Sequence, residues 1–291
     1  MVKRLFASTA ALVLSFLSAC SGPGALNTFA PSDGVSIQSG VAYGGSEREK
    51  LDIYTPAVTI PGLTAEGWPM AVFFYGGGWH DGERGSYQFL GKTLAARGIV
   101  TVIPDYRVYP EVRFPEFARD GAKAVAWTVA HARELGGDPR RIFVIGHSAG
   151  AHIAALLTLD KSYLGQAGLD PDKVFAGMIG LAGPYDFLPL VEPIYKEIFA
   201  TAPDLSVTQP ITYARADAPP LLLVSGRADT TVLPRNTERL AARVRERGGQ
   251  AQDKFYPGIG HILLLGAMAR PLTALAPVRD DVLRFMGVGG G

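Results

Sequence analysis

Residues 141–157 read Arg-Ile-Phe-Val-Ile-Gly-His-Ser-Ala-Gly-Ala-His-Ile-Ala-Ala-Leu-Leu. Ile142 to Ile145 are a short apolar run suited to a buried strand, and the residues from Ala149 onward suit a helix, with Gly146-His147-Ser148-Ala149-Gly150 between them. A strand that passes directly into a helix must turn sharply, and the two glycines remove side chains that would collide in the turn. Ser148 is then exposed at the start of the helix, where unpaired backbone N–H groups favour developing negative charge. The pentapeptide therefore reads as a nucleophile elbow in the strand–turn–helix context that gives it meaning.

Outward from this segment, short apolar runs alternate with segments of helical period, the pattern of βαβ units and a mainly parallel sheet. Strands are expected at Leu51–Tyr54, Met70–Tyr75, Val100–Ile103, Ile142–Ile145, Val174–Leu181, Leu221–Val224 and Lys254–Tyr256. Helices are expected near Tyr87–Ala96, Phe114–Leu135, Ala149–Leu159, Pro234–Arg247 and Pro271–Met286. About 36 residues separate Ala182 from Pro219, long for a connection in such a fold, and predict a small cap over the carboxyl edge of the sheet. The 291 residues suit one large α/β core. A content of 47% hydrophobic and 19% charged residues excludes a disordered chain, and a formal net charge of +1 without a polybasic patch argues against nucleic-acid binding.

A serine nucleophile needs a base, and position sorts the histidines. His147 lies inside the elbow with its side chain expected to point away from that of Ser148, His152 and His131 lie on helices, and His80 sits beside a glycine run. His261, in Tyr256-Pro-Gly-Ile-Gly-His, follows the last expected strand on a Gly-rich turn that can present an imidazole across the sheet edge. The acid that orients such an imidazole comes between serine and histidine in chain order in folds with this elbow. Asp229, just past the Leu221–Val224 run, fits that order, with Asp186 as a reserve. Tyr75-Gly76-Gly77-Gly78-Trp79 ends another expected strand, where glycine lets backbone N–H groups approach a substrate oxygen. Gly77 and Gly78, with the N–H of Ala149, are the expected oxyanion donors. No Gly-Lys-Ser or Gly-Lys-Thr accompanies these glycines to suggest a phosphate loop.

With these residues assembled, the chain resembles the α/β-hydrolase superfamily, and within it the hormone-sensitive-lipase-like esterases and the kynurenine-formamidase-like hydrolases, whose HGGG or HGGxW loops match Gly76-Gly77-Gly78-Trp79. The likeness runs from about Glu49 to Met286, and includes Asp105-Tyr106-Arg107 and Tyr109-Pro110-Glu111. It implies an α/β-hydrolase fold with a mainly parallel central sheet, helices on both faces and a small cap, and a Ser148–Asp229–His261 triad acting on carboxylic esters of short acyl or aryl type. No metal or other cofactor is implied, and the expected partner is a small-molecule ester. Tyr75 stands where these families carry histidine; its hydroxyl either orders the glycine loop or points into the acyl pocket. Trp79, Tyr75 and Tyr185 are the candidate substrate-binding aromatics. Two alternatives stay open: hydrolysis of N-formylkynurenine-type amides, and a non-catalytic binding lipoprotein on the same scaffold.

The first 20 residues, with Lys3 and Arg4 before an apolar run from Leu5 to Leu17, read as an export signal. Leu17-Ser18-Ala19-Cys20 resembles the lipobox of bacterial lipoproteins, and Cys20 is the sole cysteine, which implies lipidation there rather than a disulfide. The expected organisation is a signal peptide at 1–19, a lipidated Cys20 and flexible tether at 20–46, and a catalytic domain at 47–291, held outside the cytoplasm on a bacterial membrane by the lipid.

Overall fold

The computed structural model describes residues 23–30, 33–57 and 66–289, so the expected signal peptide and Cys20 lie outside the described residues. Eight strands form one sheet: β1 Val35–Ala42, β2 Lys50–Pro56, β3 Trp68–Phe74, β4 Val100–Pro104, β5 Gly137–His147, β6 Phe175–Leu181, β7 Leu221–Gly226 and β8 Ala251–Tyr256. Their spatial order is β1-β2-β4-β3-β5-β6-β7-β8. The pairs β1–β2 and β2–β4 are antiparallel, and every neighbouring pair from β4 to β8 is parallel. This is the α/β-hydrolase fold expected from the sequence. Strands in the middle of a covered parallel sheet are buried on both faces, which is why β3, β6 and β7 read as continuous apolar runs rather than as alternation.

The helices are α1 Gln88–Ala95, α2 Glu116–His131, α3 Ala149–Leu159, α4 Lys161–Gln166, α5 Pro171–Val174, α6 Pro193–Ile198, α7 Arg235–Glu246, α8 His261–Gly266 and α9 Val278–Phe285. Every residue of α3 is buried, because this helix packs on β5 and β6 and is covered in turn by α2 and the segment at 205–213. The long connection after β6 carries α6 and two short 3₁₀ turns, Leu205–Thr208 and Pro210–Tyr213. The C-terminal helix expected over 271–286 is broken: Leu272–Ala274 is a 3₁₀ turn and α9 starts only after Pro277, a residue that cannot donate to a preceding turn.

Within the stretch 20–46 expected as a tether, the described residues carry regular structure. Pro23–Phe29 is a 3₁₀ segment with Leu26 buried, and Asn27 ties it to α1, accepting from the Phe89 N–H at 2.8 Å and donating to the Gly85 carbonyl at 3.0 Å. Residues 35–42 form edge strand β1, mostly exposed, with its register broken between Gln38 and Val41 around Gly40. An edge strand open to solvent needs no apolar period, so this stretch resembled a linker in sequence.

Candidate functional site

The elbow forms as its glycines predict. β5 ends at His147, Ser148 takes φ +54° and ψ −124°, and α3 begins at Ala149. A Cβ on Gly146 would lie 2.3 Å from the Gly150 carbonyl oxygen, and one on Gly150 2.0 Å from that of Phe74, so neither position tolerates a side chain. The Ser148 N–H donates to the Leu181 carbonyl at 2.9 Å, pinning the turn to β6. Left-handed backbone is strained for a residue with a Cβ, and here it projects the serine into a cavity of about 900 Å³ at the carboxyl end of the sheet.

Two loops bring an acid and a base together, the base on the wall of this cavity and the acid buried behind it. The Ala228 N–H donates to the Ile259 carbonyl at 3.0 Å, and that carbonyl would lie 2.0 Å from a Cβ on Gly226, so the loops after β7 and β8 are packed backbone to backbone. Asp229 is fully buried; its Oδ1 accepts from the Thr231 and Val232 N–H groups, each at 2.9 Å, and its Oδ2 meets His261 Nδ1 at 2.8 Å. The two N–H donors fix the carboxylate plane, and a carboxylate accepts only, so Nδ1 carries the proton. Nε2 is then the basic nitrogen, on a ring that shares the cavity wall with Ser148. His261 is the first residue of α8 rather than a member of the turn before it. Asp186, the reserve acid, pairs instead with Arg239 at 2.8 Å.

Gly76, Gly77 and Gly78 line the cavity beside Ser148 and Ala149. Gly77 has φ +145° and Gly78 φ +60°, and a Cβ on Gly77 would sit 2.0 Å from the Asp81 carbonyl oxygen. Ala149 opens α3, and the first N–H groups of a helix have no acceptor within it. The structure thus brings Ser148, His261, Gly77, Gly78, Ala149 and Trp79 around one cavity, with Asp229 buried behind its wall and held to His261. Such a set provides a hydroxyl, an oriented base and backbone donors for a developing oxyanion.

Tyr75 and Tyr185 are not part of it. Both are fully buried and absent from the cavity wall. Tyr185 packs under the turn after β6, its hydroxyl against Gly180. Tyr75 lies between the rings of Tyr106 and Tyr87, with centroids 4.8 and 5.2 Å away. Its hydroxyl donates to Asp105 Oδ1 at 2.7 Å and accepts from Arg48 Nη2 at 3.0 Å. Arg48 also donates to the Gly82 carbonyl at 2.7 Å, at the far end of the glycine loop, and to the Tyr106 carbonyl at 2.9 Å. Asp105 in turn accepts from the Arg84 N–H at 2.7 Å and pairs with the Arg84 guanidinium. Of the two roles open to Tyr75, the geometry fits ordering of the loop. Burial, together with Tyr106 and Asp105, drives its pKa well above the usual tyrosine value, so it is a neutral donor and acceptor. Tyr75→Phe is expected to cost about 1–3 kcal/mol in urea unfolding, since it strips a buried carboxylate and guanidinium of a shared partner; a loss below about 0.5 kcal/mol would remove the hydroxyl from the loop's support.

Two histidines have roles that sequence position did not reveal. His152 Nε2 faces the Thr208 carbonyl at 2.7 Å, while its Nδ1 accepts from Trp79 Nε1 at 3.3 Å, fixing a neutral tautomer that anchors the indole. Burial pushes this imidazole down to about 4. His147 turns its Nε2 toward the His261 carbonyl at 3.3 Å, and the two rings lie 4.7 Å apart. Burial, and then the neighbouring His261, hold His147 well below the usual histidine range, so the ring that faces His261 is uncharged at neutral pH. Trp79 has φ +62° and packs on Phe187, Phe199 and Tyr195 in the long connection after β6.

Comparison with known proteins gives a consistent picture. The BD-FAE family model matches residues 51–244. The probable isoprenylcysteine alpha-carbonyl methylesterase ICMEL1 of Arabidopsis thaliana is 28% identical over 248 residues, covering 77% of this chain and 51% of its own. Esterase LipC of Mycobacterium tuberculosis is 31% identical over 275 residues, covering 84% of this chain and 65% of its own. The chain thus spans about half the length of the plant relatives it matches. Among solved structures, the propionate-bound form of an esterase from Thermogutta terrifontis superposes with a TM-score of 0.68 at 25% identity, covering 90% of this chain and 98% of that one.

Proposed function

The chain belongs to the BD-FAE family, and from that premise we propose that it is a serine carboxylesterase acting on esters of short acyl groups. The observation that carries the proposal is the 2.8 Å contact between His261 Nδ1 and Asp229 Oδ2, which holds His261 on the wall of a cavity that Ser148 enters from a left-handed turn. His261 Nε2 takes the proton of Ser148 as Oγ bonds to the ester carbonyl carbon, and the carbonyl oxygen gains negative charge. The N–H groups of Gly77, Gly78 and Ala149 are the donors for that charge. Collapse of the intermediate breaks the carbon–oxygen bond to the alcohol, which leaves with the proton from His261. Water, deprotonated by the same nitrogen, then releases the acid and restores Ser148. Asp229 keeps Nδ1 protonated and the ring in place throughout.

The short-acyl assignment draws on the modest size of the segment between β6 and β7, whose regular structure is α6 and two 3₁₀ turns rather than a long apolar insertion. The Thermogutta terrifontis esterase is bound to propionate, which supports a small acyl group for the present chain. The test compares p-nitrophenyl acetate, p-nitrophenyl decanoate and N-formylkynurenine as substrates of the folded protein. Fastest turnover of the acetate is expected. Preference for decanoate would reject the short-acyl assignment, and preference for N-formylkynurenine would make the chain an amide hydrolase.

A further inference from the structure

Seven large apolar side chains are strongly exposed among the described residues, and three of them, Val191, Leu233 and Ile262, line the cavity that holds Ser148. Single exposed apolar residues are ordinary on a protein surface, but three converging on one opening are not. Val191 is 73% exposed, Leu233 41% and Ile262 40%, so they stand where the cavity meets solvent. Each comes from a different segment: Val191 from the connection after β6, Leu233 from the loop that carries Asp229, and Ile262 from the start of α8 beside His261. Exposed Glu192 and Arg235 also reach the cavity and give this apolar rim a polar border.

The chemistry decides which half of the ester meets the rim. The proton that His261 receives from Ser148 must pass to the leaving oxygen, so that oxygen sits against His261 Nε2 and the alcohol chain runs out past the residues flanking His261. An acetyl or propionyl group fills little of a cavity of about 900 Å³, a volume typical of sites for much larger ligands. We propose that Val191, Leu233 and Ile262 form a subsite for the leaving alcohol, and that the preferred substrates are short-acyl esters of extended apolar alcohols, alkyl or aryl. This rests on the serine-esterase reading and names its substrate class.

The test uses methyl, butyl and hexyl acetate with the wild type and with Val191→Ser, Leu233→Ser and the double variant, each checked for an unchanged thermal transition. All three acetates form the same acetyl-enzyme, so differences in kcat/KM report the alcohol side alone. The wild type is expected to favour hexyl over methyl acetate by about tenfold or more, and the double variant to lower that ratio by about tenfold. Over a parallel series of ethyl esters from acetate to hexanoate, the same variants are expected to leave the length dependence as it is in the wild type. A hexyl-to-methyl ratio unaltered in the folded double variant would overturn the subsite, and so would an effect confined to the acyl series. Absence of hydrolysis of every ester by the folded wild type would instead overturn the esterase reading on which the subsite rests.

Discussion

Replacing Ser148 with alanine is expected to lower kcat on p-nitrophenyl acetate by about 10⁵- to 10⁶-fold, the scale on which serine hydrolases lose rate when the nucleophile is removed. The magnitude follows from the division of labour in the cavity. Without Oγ no acyl-enzyme forms, and what remains is the stabilisation that the backbone donors around Gly77, Gly78 and Ala149 give to direct attack by water. The substitution keeps a Cβ at φ +54° and leaves the Ser148 N–H bond to the Leu181 carbonyl intact, so the thermal transition should hardly move. A folded variant that retained more than about one part in a thousand of the rate would point to a different nucleophile.

Asp229→Asn is expected to cost about 10⁴-fold in kcat while the fold persists. Oδ1 of Asp229 accepts two backbone N–H bonds, from Thr231 and Val232, and an amide must turn its oxygen toward them. Its NH₂ then faces His261 Nδ1, which must accept, and the ring proton moves to Nε2, the nitrogen that should receive the proton of Ser148. The variant thus keeps the geometry and inverts the tautomer. A loss under about tenfold, measured as kcat beside an unchanged melting transition, would show that the orienting acid is another residue. Asp186 is poorly suited to that part because Arg239 already holds its carboxylate.

Much of this arrangement is legible in the sequence, for physical reasons that differ along the chain. Strands β3 to β7 are buried on both faces and leave apolar runs that cannot be mistaken for surface, and the glycines at 146 and 150 mark a turn that no other residue could make. Asp229 and His261 each follow a strand that ends at the same sheet edge, but Asp186 also follows such a strand and also precedes His261, so its exclusion rests on its pairing with Arg239. What escapes a linear reading depends on side-chain direction. Tyr75 follows the last residue of β3, where one step of the backbone decides between cavity and core, and the partners that hold it, Arg48 and Asp105, lie on loops flanking other strands. Tyr185 belongs to a turn whose tight packing against Gly180 and Gly183 has no sequence signature. β1 is exposed along most of its length and bulged at Gly40, so it lacks the alternation that marks a half-buried strand. His147 and His152 owe their partners to residues far along the chain, the His261 and Thr208 carbonyls, and only the fold brings these together.

The role of Ser148 as nucleophile is tested by treating the folded protein with a fluorophosphonate and mapping the modified peptide by tandem mass spectrometry, with the Asp229→Asn variant alongside. One adduct on Ser148, formed at least about a hundredfold more slowly in the variant because the base is misprotonated, is the predicted result. A folded wild-type protein that takes up no label, or takes it up on another residue, would contradict the assignment of Ser148 as the nucleophile.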